Sequence, residues 1–258
     1  MGVVNVTPDS FSDGGETVDT DLAIARGREL IAAGADMIDV GGESTRPGAR
    51  PVEPREEAAR IVPVIHALAA EGALVSADTR HAAVMTEAVE AGARIINDVA
   101  ALSEPGALEA AARSGAHVIL MHMKGDPRTM QDDPRYDDVV GEVADYLRAR
   151  IEACVRAGIA RARIAVDPGI GFGKTVAHNA RLIANLDRVK ALGHPVVLGV
   201  SRKSFIAKLS RHEPPKGRLA GSLAAALAGV ARGADILRVH DLAETRQALA
   251  VWGAVFQG

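Results

Sequence analysis

Eight short apolar segments each end in a polar or ionisable residue, and these terminal residues are the candidates for chemistry. They are Asn5, Asp39, Asp78, Asn97 with Asp98, His122, Asp167, Ser201, and Arg238 with His240. In a parallel α/β barrel the carboxyl ends of all strands open onto one face, so residues far apart in sequence converge there. The pattern predicts an active site built from eight strand ends.

Asp78, Asn97 and Asp167 form one chemical group among these strand ends. A buried carboxylate needs hydrogen-bond donors, and a flat heterocycle with amide and amino groups would supply them. The alternative for each residue is a structural role as the cap of the following helix. Three such residues at strand ends together favour a ligand.

Lys203, Arg238 and His240 bring cationic groups to the same end of the strands. Arg238 and His240 are two positions apart, so they lie on the same side of a strand. Together these groups suit an anion such as a phosphate. The alternative is a ring of salt bridges inside a barrel, and Arg46 is weaker support because arginines are common in loops.

The elements that would position these residues repeat with a period of roughly 30 residues, the length of a βα unit. Seven helical patterns end on a glycine, which supplies the left-handed conformation that follows a helix, and an apolar run comes next. The glycines are Gly34, Gly72, Gly92, Gly115, Gly158, Gly193 and Gly233. With residues 3–4 at the start, the runs give eight strands, and the other seven are 37–40, 73–77, 94–97, 117–121, 164–166, 195–200 and 236–239.

Short, continuously apolar strands that alternate with Ala-rich helical segments, such as 21–33 and 139–157, are typical of a parallel sheet covered by helices. Eight nearly equal units favour a closed (β/α)8 TIM barrel over an open doubly wound sheet. The length of 258 residues, with 48% hydrophobic residues, fits one α/β domain spanning residues 1–258.

Three strand-to-helix loops, 7–18, 42–54 and 122–135, are long and rich in Gly, Pro and Ser, which places function on the same face. Residues 168–175 end like a Walker A motif, but Pro168 stands where that motif has its first glycine. We interpret this segment as a flexible wall that lets the backbone approach a ligand. Phe11 and Phe172 lie in such loops and would either stack on a planar substrate or anchor the loops to the barrel rim.

Composition excludes several classes of protein. A formal net charge of -3 leaves no basic stripe for nucleic acid. No apolar run reaches the roughly 18 residues of a membrane span, and the N-terminal residues do not have the pattern of a signal peptide. We therefore expect a cytoplasmic protein that binds small molecules, in which the single cysteine, Cys154, is a buried and inert thiol.

No cluster of His, Cys and carboxylate residues has the spacing of metal ligands. A magnesium ion held mainly by substrate phosphates needs only one or two protein oxygens, which Asn5 or Asp39 would offer. Asp39 is equally compatible with anchoring a loop. We expect His122 to be structural.

Six segments, in this order along the chain, resemble the motifs of the dihydropteroate synthase family. They are 5–15 (NVTPDSFSDGG), 39–49 (DVGGESTRPGA), 96–98 (IND), 167–174 (DPGIGFGK), 201–204 (SRKS) and 238–240 (RVH). The resemblance implies a TIM barrel that condenses 6-hydroxymethyl-7,8-dihydropterin pyrophosphate with 4-aminobenzoate. It also implies that pyrophosphate leaves first and that the aniline nitrogen attacks afterwards.

The resemblance assigns roles to the matching residues. Asp78, Asn97, Asp167 and Lys203 match those that hold the pterin ring, whereas Asn5, Arg46, Arg238 and His240 match those that attend the pyrophosphate and its Mg²⁺, with Asn5 as the metal ligand. Thr45 and Val239 complete the pterin pyrophosphate site. Phe11, Thr45, Pro47, Phe172, Lys203 and Ser204 match the 4-aminobenzoate pocket. Catalysis is then expected from Asn5, Lys203, Arg238 and His240.

Members of this family usually carry additional residues before the first strand, whereas this sequence starts four residues before Asn5. We therefore expect a short first strand and a shortened N-terminus that leaves the barrel bottom less covered, or a trimmed start. The likeness further implies a homodimer formed through the last helices. Alternatives are a non-catalytic pterin-binding homologue and a folate-dependent corrinoid methyltransferase, but the intact loop motifs favour the synthase.

Overall fold

The strands and helices of the protein alternate along the chain in a computed structural model that describes residues 1–7, 16–44, 51–126 and 129–256. The strands are β1 (Gly2–Asn5), β2 (Ile38–Gly41), β3 (Val75–Asp78), β4 (Ile95–Asp98), β5 (His117–Met121), β6 (Ile164–Asp167), β7 (Val197–Leu198) and β8 (Ile236–Leu237). The helices are α1 (Glu16–Ala32), α2 (Pro54–Ala70), α3 (Ala82–Glu90), α4 (Ala107–Ser114), α5 (Val139–Arg156), α6 (Val176–Ala184), α7 (Leu186–Lys190), α8 (Ser204–Leu209), α9 (Leu219–Val230) and α10 (Leu242–Phe256). Among the described residues, short 3₁₀ turns lie at Arg161–Arg163 and Pro215–Arg218.

The described strands close into a barrel. Strands β1 to β6 are parallel neighbours in sequence order, and β7 pairs with β8. Single parallel bridges join the two groups, one between Val166 and Val196 and one between Gly2 and Val239. At the second junction the Val3 amide donates to the Val239 carbonyl at 3.1 Å. The prediction of a TIM barrel is confirmed, and the open-sheet alternative is wrong.

The predicted strands agree with the observed ones, except that β7 is shorter than the apolar run 195–200 and β8 is shorter than the run 236–239. In the seventh run only Val197–Leu198 form regular strand. Pro195 contributes a carbonyl to the Val166 amide at 2.9 Å but has no N–H of its own to donate, which limits regular pairing at this end. The first strand is short, as expected, and it is hydrogen-bonded on both sides.

The seven predicted glycine joints are all left-handed, with φ between +72° and +115°. At five of them the residue after the glycine donates its amide to the carbonyl five positions back, as in Ala35 to Leu30 at 2.9 Å. This is the hydrogen bond of a Schellman motif, which ends the helix and turns the chain into the next strand. The short joints therefore lie at the amino ends of the strands, and the long loops lie at the opposite face.

The core has two layers separated by the barrel wall. Buried residues on the outer side, such as Val40 and Leu120, pack against helical residues such as Leu68 and Leu147. A separate small cluster joins Met1, Ile95, Ile119 and Val197. These residues belong to or flank strands that are not all neighbours, so they meet across the barrel interior and fill its lower end. The other end of the barrel, at the carboxyl ends of the strands, carries polar side chains and is called the mouth below.

Cys154 lies in α5, fully buried in the outer layer. It is a free thiol, and burial raises its pKa to about 11. Because the thiolate is the reactive form, this residue is an inert core side chain, as predicted.

Exposed apolar side chains concentrate on the last helix. Val251, Val255 and Phe256 are 60%, 67% and 65% exposed, and Trp252 stacks on Phe256 with a ring separation of 4.0 Å. Within the described parts of the chain, this helix and all others are too short or too polar to cross a membrane.

Candidate active site

Arg238 lies in the barrel mouth between two carboxylates. Its Nε is 2.6 Å from Asp39 Oδ2, and its Nη2 is 2.7 Å from Asp78 Oδ2. Asn97 Nδ2 donates to the same Asp39 oxygen at 3.1 Å. Asp39 is fully buried, so it holds two other site residues in place. The contacts of Asp39 are therefore with other residues of the mouth, whereas the roles expected from the sequence were a metal ligand or a loop anchor.

Two carboxylates share one guanidinium in this cluster. Burial raises the pKa of Asp78 to about 8. The positive charge of Arg238 opposes this shift, and the negative charge of Asp39 adds to it. Burial opposes the charge of Arg238 as well, but the attraction of Asp39 and Asp78 outweighs it and raises the Arg238 pKa above its usual value. The mouth therefore holds a permanent cation beside a carboxyl group that readily exchanges a proton.

Asp167 and Lys203 form the second charged group of the mouth. Asp167 is the last residue of β6, is buried, and accepts the Gly169 amide at 2.6 Å. Lys203 Nζ donates to the Ile170 carbonyl and lies 4.7 Å from the centre of the Phe172 ring. Burial raises the pKa of Asp167 and lowers that of Lys203 to about 8, and the attraction between the two groups opposes both shifts.

The Gly-rich loop after β6 is held by protein contacts, which corrects its interpretation as a flexible wall against a ligand. Gly169 and Gly173 are left-handed, and a Cβ on them would lie 1.9 Å from the His122 carbonyl oxygen and 2.3 Å from that of Lys124. Tyr136 also donates its hydroxyl to the Gly173 carbonyl at 2.9 Å. The glycines are needed because the loop after β5 packs directly against this backbone.

Lys174 is a buried lysine that the sequence analysis did not single out, and burial lowers the pKa of its amine well below the ordinary value. It is 2% exposed, and its Nζ lies 2.8 Å from His122 Nδ1 and 3.0 Å from the Phe172 carbonyl oxygen. Burial, and then the charge of Lys174, lower the pKa of His122 to about 3, so the imidazole is neutral and its Nδ1 accepts a hydrogen bond from Lys174 Nζ. His122 is thus structural, as predicted, and holds the Gly-rich loop.

Because His122 is neutral in the folded protein, the free energy of unfolding decreases as the pH falls. Below pH 6.5 the unfolded chain protonates this group, whereas the folded chain does so only near pH 3, so stability present above pH 6.5 is lost as the pH falls to about 3. His122→Asn keeps an acceptor for Lys174 and removes the titration. In urea titrations between pH 6 and pH 4, we expect the free energy of unfolding of the variant to fall less steeply, by up to about 1.4 kcal/mol per pH unit. Equal slopes in both proteins would contradict this account.

The strand ends of β1 and β8 complete the mouth. Asn5 pairs with Gly41, and Gly41 pairs with Asp78, so Asn5 lies at the rim level of the charged cluster. Ser201 Oγ accepts the His240 amide at 3.2 Å and lies 3.1 Å from His240 Nδ1. The structure therefore brings Asn5, Asp78, Asn97, Asp167, Lys203, Arg238 and His240 to one face of the barrel.

Other predicted site residues have different positions. Ser204 is the exposed first residue of α8, next to Lys203, and Phe172 is half-buried beside Lys203. The Val239 side chain packs in the outer core, and its N–H and C=O both take part in barrel closure. Phe11, Thr45, Arg46 and Pro47 lie outside the described residues.

Asn5 is the metal ligand that the resemblance implies. Within the described ranges no group of three or more His, Cys, Asp and Glu side chains is arranged to hold a metal ion. The Asn5 carboxamide offers one hard oxygen at the rim, which suits Mg²⁺ only if phosphate and water supply most of the other ligands. The donor set therefore fits a magnesium ion that arrives with a phosphorylated substrate.

Comparison with known proteins assigns this chain to a family. Residues 1–240 match the model of the pterin binding enzymes. A dihydropteroate synthase from Neisseria meningitidis serogroup C is 51% identical over 99% of this chain and 92% of its own length. The chain belongs to the dihydropteroate synthase family.

Solved structures of dihydropteroate synthases share the whole architecture. The Yersinia pestis enzyme in complex with a sulfonamide drug superposes with a TM-score of 0.95 and 47% identity, covering 100% of this chain and 94% of that one. The Xanthomonas albilineans enzyme in complex with 7,8-dihydropteroate has a TM-score of 0.90 and 49% identity, over 99% of this chain and 92% of that one. The expected family is confirmed over nearly the full sequence.

Proposed function

We propose that this chain condenses 6-hydroxymethyl-7,8-dihydropterin pyrophosphate with 4-aminobenzoate, giving 7,8-dihydropteroate and pyrophosphate in folate biosynthesis, and that residues 1–258 form one catalytic domain. The observation that carries the proposal is the mouth itself, where carboxylates and an amide lie beside two half-buried cations, Lys203 and Arg238, in a barrel of this family. The carboxylates, the amide and Lys203 suit a pterin ring, and Arg238 with His240 suits its pyrophosphate.

The pterin ring presents amino and amide N–H donors along one edge. Asp78, Asn97 and Asp167 supply acceptors for those donors, and each is held by another bond, to Arg238, Asp39 and Gly169 respectively. Lys203 supplies a donor for ring acceptors. A ring bound here has fixed partners on both kinds of edge, which orients its exocyclic carbon toward the open mouth.

The pyrophosphate is the group that Arg238 and His240 recognise. The bonds of Arg238 to Asp39 and Asp78 use two of its five N–H groups, which leaves donors for an anion. Mg²⁺, with Asn5 as its protein ligand, would neutralise charge on the phosphate oxygens. Arg238 stabilises the leaving group directly, whereas the role of Asn5 would be to hold the metal ion.

The reaction needs no protein nucleophile. The bond between the exocyclic carbon and the pyrophosphate oxygen breaks, the electron pair leaves with pyrophosphate, and the dihydropterin ring delocalises the positive charge. The ionised forms of Asp78 and Asp167 stabilise that charge, and because burial raises both pKa values, this contribution increases with pH. Arg238 stabilises the leaving anion. The nitrogen lone pair of 4-aminobenzoate then forms the new C–N bond, and the nitrogen releases a proton to the solvent.

The 4-aminobenzoate pocket is proposed around Phe172, Lys203 and Ser204, with Phe11, Thr45 and Pro47 contributed by the first two loops. The cation–π contact between Lys203 and Phe172 supports this position. It holds the Phe172 ring beside Lys203, which also borders the proposed pterin pocket. These loops would exclude water, which would otherwise react with the positively charged exocyclic carbon of the pterin.

A turnover assay tests the proposal directly. Purified protein given the pterin pyrophosphate, Mg²⁺ and isotope-labelled 4-aminobenzoate should form labelled 7,8-dihydropteroate and one equivalent of pyrophosphate. No product at saturating substrate would contradict it. Methyl transfer from methyltetrahydrofolate to a corrinoid would instead support the methyltransferase alternative.

A homodimer through α9 and α10 is part of the proposal. These two helices pack together, and α9 adds exposed Ala220, Ala224 and Ala228 to the apolar side chains of α10. Such a contiguous apolar face favours contact with a second copy. A cytoplasmic location is also proposed, because the free thiol of Cys154 fits a reducing compartment.

Val255→Glu places a charge in this apolar face. In sedimentation experiments we expect the wild-type protein to be a dimer. The dimer dissociation constant of the variant should be at least about tenfold higher, because the interface would bury an unpaired charge. Leu74→Glu is the matched control, because Leu74 is 41% exposed and lies on another side of the barrel. A monomeric wild-type protein would contradict the proposed dimer.

A further inference from the structure

A charged pair joins the loop after β7 to the loop after β8. Arg202 Nε is 2.9 Å from Asp241 Oδ2, and Arg202 Nη2 donates to Asp241 Oδ1. The contact is bidentate, and both side chains are less than a third exposed. Two parallel hydrogen bonds of this kind fix orientation as well as distance.

Arg202 adopts a backbone conformation that an arginine rarely takes. Its φ is +59°, in the left-handed region where glycine is the unstrained residue. Its amide donates to Ser222 Oγ at 2.9 Å, and its carbonyl accepts Arg218 Nη1 at 2.8 Å. The surrounding structure thus imposes the conformation, and the pair with Asp241 gives a reason for a long charged side chain at a position suited to glycine.

The neighbours of this pair are two residues of the proposed site. Lys203 follows Arg202, and His240 precedes Asp241. The same two loops are also joined by the contacts of Ser201 with His240. Each member of the pair is therefore adjacent in sequence to a site residue, Arg202 to the lysine assigned to the ring and Asp241 to the histidine assigned to the pyrophosphate.

We infer that the Arg202–Asp241 pair is a positioning device that holds Lys203 and His240 at the separation required by one ligand that spans both. This inference rests on the proposed function. Neither Arg202 nor Asp241 is assigned a contact with substrate. Two contacts to a single ligand reinforce one another only if their spacing matches the ligand, whereas contacts to separate fragments do not depend on that spacing.

Fragment binding tests this inference. Calorimetry without 4-aminobenzoate compares three ligands, namely 6-hydroxymethylpterin, inorganic pyrophosphate with Mg²⁺, and 6-hydroxymethyl-7,8-dihydropterin pyrophosphate with Mg²⁺. The variants are Arg202→Gly, which keeps the left-handed backbone unstrained, Asp241→Asn, which leaves the backbone of Arg202 unchanged, and their combination. Arg211→Gly is the matched control, because Arg211 is a 90% exposed arginine in the same region.

The expected result is specific to a positioning role. Both fragments should bind each variant within about twofold of wild type, whereas the joined ligand should bind about tenfold more weakly, and the double variant should lose no more than either single one. Unchanged affinity for the joined ligand in Asp241→Asn, or an equal loss for fragments and joined ligand, would overturn the inference. A wild-type protein that does not bind the joined ligand would overturn the proposed function as well.

Discussion

Arg238→Met should reduce turnover and destabilise the fold. The substitution leaves the fully buried Asp39 and the largely buried Asp78 without their shared cation. Removing one partner of a buried ion pair costs about 3–5 kcal/mol, because the remaining charge keeps its desolvation penalty. Loss of the cation beside the leaving group should lower kcat by a further factor of about 10² to 10³. Urea titration and steady-state kinetics measure the two effects.

The pH dependence of this variant gives a second check. Burial already raises the pKa of Asp78, and loss of Arg238 removes the charge that opposes this shift, so stability is lost as the pH rises. We therefore expect the destabilisation to be greater at pH 8 than at pH 5. Adding Asp39→Asn removes one of the two charges and should recover stability without recovering turnover. An Arg238→Met protein with turnover within tenfold of wild type would show that this arginine does not act on the leaving group.

Asp167→Asn should weaken binding of the pterin without unfolding the protein. The amide keeps the acceptor for the Gly169 amide but loses the charge that faces Lys203 and the ring donors. Hydrogen bonds to a charged group contribute about 1.5–3 kcal/mol each, so the loss of two such bonds predicts a rise in Kd of roughly a hundredfold or more. Calorimetry with 6-hydroxymethylpterin provides the measurement.

The same substitution should not lower the melting temperature, because it removes a buried charge that burial disfavours. Asp235→Asn is the matched control. Asp235 pairs with Lys190 at 2.7 Å and lies before β8, at the amino end of the strands. Unchanged pterin affinity in Asp167→Asn, or an equal loss in Asp235→Asn, would remove Asp167 from the ring pocket.

The sequence predicts the barrel and the residues of its mouth because both depend on local signals. A glycine after each helix marks the return to a strand, and a polar residue after each apolar run marks the functional end. Asp78, Asn97, Asp167 and Arg238 follow from that rule alone. The reaction could not be predicted in this way, and the loop motifs were needed to identify it.

Other features depend on contacts that local patterns do not encode. Arg238 meets Asp39 across 199 positions of sequence, and their contact exists only because the barrel closes. In the sequence Lys174 resembles any polar residue of a Gly-rich loop, yet its side chain is buried and its Nζ is hydrogen-bonded to His122. The left-handed Arg202 has no sequence signal, since glycine is the residue expected there.

A crystal structure with 6-hydroxymethylpterin and pyrophosphate bound tests the central claim most directly, because the account depends on which side chains contact which part of the substrate. We predict that the ring lies in the barrel mouth within hydrogen-bond distance of Asp78, Asn97, Asp167 and Lys203, and that pyrophosphate lies against Arg238 and His240. A ring bound elsewhere, or pyrophosphate placed away from Arg238, would contradict the proposed division of the strand ends into ring and anion sites.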